Sequence, residues 1–459
     1  MTAQAQPIPR IPGPRLLGYM PEFRRDAVSL LLRIAREQPD IARIPYGPVS
    51  PVVISSPALA HEVLVEKADA FVKSYSLSLF AKPLLGRGLL TIERDEHKKR
   101  RRMLAPPFMP RRIAEYAREI VERSERSAAR LAGHTQHDMA AESMELTLEI
   151  VLKTLFDAEM RDAGSAISQA LPDAMNALLD SLTTPVPLPP PLPSPANLRL
   201  ARAVRVLDKV VYRVIAERRA RPTAAGDLLN ILLEARDEDD GTALSDRELR
   251  DETMTMVLAG HETTANALAW TLYALARAPE VQRKLDAELA RLGDAPLGAA
   301  QLSALPYTQQ VVKESMRLYP PVHVISRRTA RDVMIGPYQL KRNGLVILSI
   351  VGIHRRPDLY PDPERFDPER FSSEREKLLP KQAFMPFSAG PRVCIGNHFA
   401  MMEAQLILAT WLRRLRFELI TPDQQVEHEA LITLRPRGGL PLRIVPRTLP
   451  TQVVATPGA

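Results

Sequence analysis

Cys394 is the single cysteine of this 459-residue chain, and it stands in Phe387-Ser-Ala-Gly390-Pro-Arg392-Val-Cys394-Ile-Gly396, just ahead of a helical pattern that starts at Asn397. One cysteine can form no internal disulfide. A lone buried cysteine is commonly a small hydrophobe. The other chemistry open to it is that of a thiolate, as a nucleophile or as one metal bond. The neighbours favour the second. Gly390 permits a turn at positive φ, and Gly396 allows close approach with no Cβ in the way. The sulfur then lies at a helix N-terminus, where backbone N–H groups and the dipole favour an anion. A metal would complete the deprotonation. Zinc and iron–sulfur sites usually need a second cysteine, whereas haem iron can take one protein atom as its axial ligand.

Three more constellations have the residue types for chemistry. Glu314-Ser-Met-Arg317 puts opposite charges on one helix face at i, i+3; alone, this is a surface ion pair of little value. Ala259-Gly260-His261-Glu262-Thr263-Thr264 sets an acid beside an alcohol within a long helical pattern. Gly260 costs that helix about 1 kcal/mol, and a gap in the side-chain wall, with room for a planar cofactor, is one reason to accept it. His97-Lys-Lys-Arg100-Arg101-Arg102 is strongly basic; alone, it suggests a nucleic-acid patch.

The run Phe-x-x-Gly-x-Arg-x-Cys-x-Gly resembles the haem-binding signature of the cytochromes P450, the haem-thiolate monooxygenases. The resemblance extends over nearly the whole chain. It implies a mainly α fold with a smaller β part in a single large domain, and haem b held by Cys394 within a cradle of Phe387, Gly390, Arg392 and Gly396. It implies that His97, Arg101, Arg327 and Arg392 meet the haem propionates, with the register of His97 and Arg101 open by one. Ala259 and Gly260 would line the oxygen side, where Glu262 and Thr263 would deliver protons. Glu314 and Arg317 would be interior, with Arg370 rather than Arg365 as third partner. The spare cations of the basic run would face an acidic electron donor.

The implied reaction activates O2 with electrons from a separate ferredoxin or flavodoxin and its reductase, and hydroxylates or epoxidises a lipophilic small molecule. A pocket lined by residues 71–90, the Pro-rich loop, Met256, Ala259, 322–325 and 431–434 is expected. Two alternatives are weighed: a peroxide-driven peroxygenase, against which the Glu262–Thr263 pair argues, and a non-enzymatic haem protein. A nucleic-acid partner is not expected, and the chain is expected to be a monomer in the cytoplasm.

The elements that must position these groups follow from composition and pattern. Apolar residues are 45% and charged residues 25%, which excludes disorder and collagen and leaves an ordinary globule with a large core. The formal charge of +8 does not choose between an acidic partner, a membrane surface and nucleic acid. No apolar run reaches the ~18 residues of a spanning helix, and the start, MTAQAQPIPR, has no signal-peptide core. Apolar spacing predicts helices over 111–133, 142–156, 199–219 and 245–277, the last opened by a Ser245/Glu248 capping box. Strands are expected at 41–54 and 333–351. A Pro-rich lead-in (1–15), a polyproline-like loop inside the domain (183–195) and a flexible tail (445–459) complete the outline.

Overall fold

The computed structural model describes residues 5–14, 16–156, 165–183, 188–221, 228–237, 241–293 and 295–447. Its longer helices begin with α1 (Met20–Glu37), α2 (Arg94–Leu104), α3 (Pro110–Leu131) and α4 (Met139–Phe156). A pair follows, α5 (Ser165–Thr183) and α6 (Pro195–Ala220), and then α7 (Asp246–Ala276), α8 (Pro279–Arg291), α9 (Pro306–Leu318) and α10 (Asn397–Arg414).

The longest, α7, forms where its local signals agree. The Ser245 hydroxyl accepts the Glu248 N–H, and the Glu248 carboxylate accepts the Ser245 N–H at 2.9 Å, the reciprocal box that its sequence predicts. Thirty-one residues carry the helix about 46 Å. It packs against α4, α6, α9 and α10, so it crosses the middle of the molecule. Its C-terminal half is locked by aromatics: Trp270 stacks on Tyr319 at 4.3 Å with the planes 5° apart, and its indole N–H donates to the Leu434 carbonyl.

The main sheet has five strands: β1 (Ile41–Arg43), β2 (Val52–Ile54), β3 (Phe71–Lys73), β4 (Val324–Thr329) and β5 (Leu345–Ser349), in the order β1-β2-β5-β4-β3. Only β2 and β5 pair in parallel. Across the antiparallel β3–β4 pair, Lys73 faces Arg327. Within 41–54 the sequence forms two strands rather than one. Within 333–351, Val333–Ile335 and Tyr338–Leu340 form a separate hairpin, and Ser349 caps a short helix, Ile350–His354, through the Gly352 N–H.

Of the polyproline-like loop, residues 184–187 lie outside those described. The rest is tied down by Asn197, whose amide donates to the carbonyls of Leu188, Pro189 and Leu192. Helices α5 and α6 on either side share one apolar cluster with the first half of α7. The tail expected from 445 is not seen at its first three residues: strand Pro441–Pro446 includes Val445, and the Arg447 N–H donates to the Arg414 carbonyl. Residues 448–459, like 1–4 and 15 of the lead-in, lie outside the described residues. No helix among the described residues is long and apolar enough to cross a membrane.

Candidate active site

The cysteine loop is built to hold one conformation. Gly390 has φ +66, and a Cβ there would stand 2.0 Å from the Leu64 carbonyl oxygen, so this position requires glycine on two counts. Ser388 is also left-handed, at φ +63. The Cys394 N–H donates to the Phe387 carbonyl at 2.9 Å, and Val393 N–H to Gly390, which closes the loop onto itself. Gly396 has φ −94, and a Cβ there would make ordinary contact with Phe108 at 3.6 Å, so no protein neighbour requires glycine at this position. Gly390→Ala adds a left-handed penalty of about 1–2 kcal/mol to a backbone clash. The expected result is a lower melting temperature and less haem per chain, read by thermal unfolding and absorbance.

The Cys394 side chain keeps open surface, yet burial among protein atoms pushes its thiol up. The Gly396 N–H bonded to the sulfur and the nearby Arg101 charge work in the opposite direction and do not win. Helix-end amides alone therefore do not make the thiolate; a bound cation must.

On one side of this loop, cations converge. Lys73 and Arg327 are buried, directly opposite one another on β3 and β4, an arrangement that costs stability when left uncompensated. Arg392 reaches the same place and ion-pairs Glu93, whose other oxygen accepts the Lys73 backbone N–H. Glu93 is the one acid felt by Lys73, Arg327 and Arg392 together. Burial, then Arg327 and Arg392, push the Lys73 ammonium far down. Burial and the Arg392 charge bring Arg327 to about 10. His97 is buried beside them, pushed down to about 3 by burial and by Arg392, Lys73 and Arg101, so in the protein alone it is a neutral donor. A group bearing two carboxylates matches this excess, and the donor set suits the propionates of a haem whose iron meets Cys394.

The basic run thus divides. Arg101 donates to the Val393 carbonyl at 2.8 Å, beside the cysteine. Arg100 turns away, buried between Glu248 and Glu252 of α7 at 2.5 and 2.9 Å, so of the two neighbouring arginines it is Arg101 that lies beside the cysteine loop. The expected electropositive face is correspondingly reduced, because Lys98 pairs with Asp95 and Lys99 with Asp237. Lys73 and Glu93 were not singled out from sequence. The signal available for Lys73 was its place, two residues from Phe71 on the buried face of a strand.

The other wall is α7. From Leu249 to Leu275 each of its residues is buried except Ala259, Gly260, Glu262 and Thr263. This window, mid-helix in a crowded core, is where the acid–alcohol pair lies. The Thr263 hydroxyl donates to the Ala259 carbonyl at 2.7 Å, and the Thr433 hydroxyl donates to Glu262 Oε1 at 2.6 Å. A Cβ at Gly260 would stand 3.0 Å from Val151 Cγ2 of α4, so the glycine also serves helix packing. On another side of α7, Glu403 of α10 is fully buried near Thr264, and desolvation pushes its carboxyl up to about 8, which leaves it neutral at pH 7.

Glu314 and Arg317 are interior, both fully buried and bonded at 2.7 and 2.8 Å. Arg370 is the third member, its Nε 3.4 Å from Glu314 Oε1, whereas Arg365 offers only its backbone carbonyl, to Arg317.

The comparisons agree with this geometry. The family model for Cytochrome P450 matches residues 9–441. Cyclooctatin synthase of Streptomyces melanosporofaciens is 33% identical over 411 residues, 89% of this chain and 88% of that protein. Pentalenene oxygenase of Streptomyces avermitilis is 33% identical over 89% of this chain and 91% of its own. Mouse leukotriene-B4 omega-hydroxylase 3 is 32% identical over 87% of this chain and 81% of its own. The crystal structure of the cytochrome P450DA heme domain superposes with a TM-score of 0.87 at 28% identity, covering 97% of this chain and 99% of that one. The chain belongs to the cytochrome P450 family: it is a monooxygenase that carries haem b on the thiolate of its one cysteine, Cys394.

Proposed function

We propose that this P450 hydroxylates a lipophilic, predominantly hydrocarbon molecule, moves protons through Glu262 and Thr263, and takes electrons from a separate ferredoxin or flavodoxin with its reductase. The observation that carries the reading is the window in α7: the one accessible stretch between Leu249 and Leu275 holds an acid and an alcohol side by side. Haem, when bound, supplies the reductive cleavage of O2 and the insertion of one oxygen atom into a C–H bond.

The chain's own residues supply position and protons. Lys73, His97, Arg101, Arg327 and Arg392 fix the cofactor's carboxylates. Phe387, Gly390 and Gly396 hold the sulfur's loop. At rest the Thr263 hydroxyl donates to the Ala259 carbonyl, and a rotation about χ1 turns it into the window. Glu262 is half-buried, held at Oε1 by Thr433, and keeps Oε2 for water. A carboxylate open to water beside a hydroxyl that can turn inward is a path for protons.

The relatives named for pentalenene and for leukotriene B4 stand at nearly equal identity, and both molecules are mostly hydrocarbon. What supports the same class here is the apolar character of Met256, Val324 and Ile325 in the chain segments expected to line the pocket. A screen of terpenes and fatty acids for spectral shifts of the oxidised haem, followed by product analysis, tests the substrate class; shifts with polar compounds alone would overturn it.

Thr263→Ala removes the hydroxyl and leaves the helix. Holoprotein yield stays normal, while product formation falls about a hundredfold and the electrons emerge as hydrogen peroxide. Product per NAD(P)H equal to that of the parent enzyme would remove Thr263 from the proton path. Peroxide-driven turnover that far exceeds NAD(P)H-driven turnover would favour a peroxygenase instead.

A further inference from the structure

One hairpin meets α7 along a single stripe. Strands His428–Ala430 and Leu434–Pro436 pair through Ala430 and Leu434, so residues 431–433 form the turn between them. Three residues on successive turns of α7, at i, i+4 and i+8, face this tip: Glu262, Asn266 and Trp270. Trp270 donates its indole N–H to the Leu434 carbonyl at 3.0 Å. Asn266 donates its amide to the Thr433 hydroxyl at 3.1 Å, and that hydroxyl donates onward to Glu262 Oε1 at 2.6 Å. Thr433 and Asn266 are buried, whereas Glu262 is not. The hairpin tip has a further anchor of its own, because Leu434 N–H donates to the Pro321 carbonyl.

We propose that Thr433 is the positioning residue for Glu262: its hydroxyl, oriented by Asn266, fixes the Glu262 carboxyl in the orientation that passes protons to the window. The inference rests on the reading of Glu262 as the proton-carrying acid. Asn266 has a donor to give and no charge, so the hydroxyl accepts from it and must spend its single proton on Glu262. The donor is thereby pre-oriented, and one carboxylate oxygen is held while the other stays open to water. A valine of nearly the same shape keeps the packing and both anchors of the hairpin, at Trp270 and Pro321, and removes only this bond. The turn also carries Ile432, 37% exposed, and half-buried Leu431. An apolar molecule pressing on them would therefore bear on the acid through one residue.

The test compares holoenzyme of the parent chain with Thr433→Val, Thr433→Ser and Glu262→Gln. Each receives electrons from a surrogate ferredoxin and reductase with no added substrate. O2 uptake and its solvent deuterium isotope effect are measured, with melting temperature as a check on folding. The expected results are that Glu262→Gln slows uptake about tenfold, Thr433→Val slows it about threefold, both enlarge the isotope effect, and Thr433→Ser behaves as the parent. Should Thr433→Val match the parent while Glu262→Gln is slow, the positioning role falls and the reading of Glu262 stands. Should Glu262→Gln also match the parent, the reading of Glu262 falls and this inference with it. A Thr433→Ser enzyme as slow as Thr433→Val would reduce the effect to packing and overturn the proposal.

Discussion

Cys394→Ala yields a protein whose reduced carbon monoxide complex lacks the red-shifted Soret band and whose product formation is lost into background, more than about a thousandfold below the parent. The size of the effect follows from the count. No second cysteine exists to replace the sulfur, and among the described residues no cluster of His, Cys, Asp or Glu stands ready to hold a metal instead. The loop around the sulfur does not depend on the thiol. Its closure comes from the Cys394 and Val393 N–H groups and from the left-handed turn at Gly390, all of which alanine preserves. The cationic cradle is likewise untouched, so the variant is expected to fold and to retain some haem through its propionates, with an altered spectrum. That separation matters. A variant with normal haem content and the normal red-shifted band would mean that the iron is bound elsewhere, and the thiolate assignment would fail.

What the sequence made legible was local. The cysteine loop declares itself because glycine, arginine and cysteine recur at fixed short spacing. The prediction for Gly390 held for a reason visible in one residue, the need for positive φ. The capping box of α7 lies within four residues, and its helix followed. The features that pattern could not give depend on partners far away in the chain. Arg100 and Arg101 are adjacent in sequence, yet one reaches α7 and the other reaches the cysteine loop 292 positions on. Lys73 reads as an ordinary surface lysine until β3 sets it opposite Arg327. Thr433 becomes informative only when its hairpin lies on the Glu262 stripe. Gly260 illustrates a subtler limit: its presence in a helix signals a missing side chain, but the close contact with Val151 belongs to helix packing and not to the helix itself.

Glu314→Gln is expected to destabilise the fold by about 3–5 kcal/mol, the usual cost of removing one charge from a buried pair. The network explains why the loss is not absorbed. Arg317 has no exposed surface; beyond Glu314 it donates to the carbonyls of His354, Pro363 and Arg365, and it lies 5.0 Å from the centre of the Tyr360 ring. Those carbonyls satisfy its N–H groups but leave its charge unanswered. Arg370, also buried, leans on the same carboxylate and on the Asp362 carbonyl. One substitution therefore strands two guanidinium groups, because Glu314 is the acid they share. Its Oε1 also accepts the Asp367 N–H at 2.8 Å, so the segment that leads toward the cysteine loop is fastened through it as well. For a domain of ordinary stability, about 5–15 kcal/mol, that is a large share of the total. Soluble yield and haem per chain should fall together, and the thermal midpoint of what remains should drop by several degrees. Arg365→Ala, which leaves the backbone carbonyl in place, should behave as the parent, while Arg370→Ala should weaken the fold less than Glu314→Gln. Equal stability of Glu314→Gln and the parent would mean that this buried pair contributes no net stabilisation here, and that the interior between α9 and the cysteine loop is held by its carbonyl bonds and apolar contacts instead.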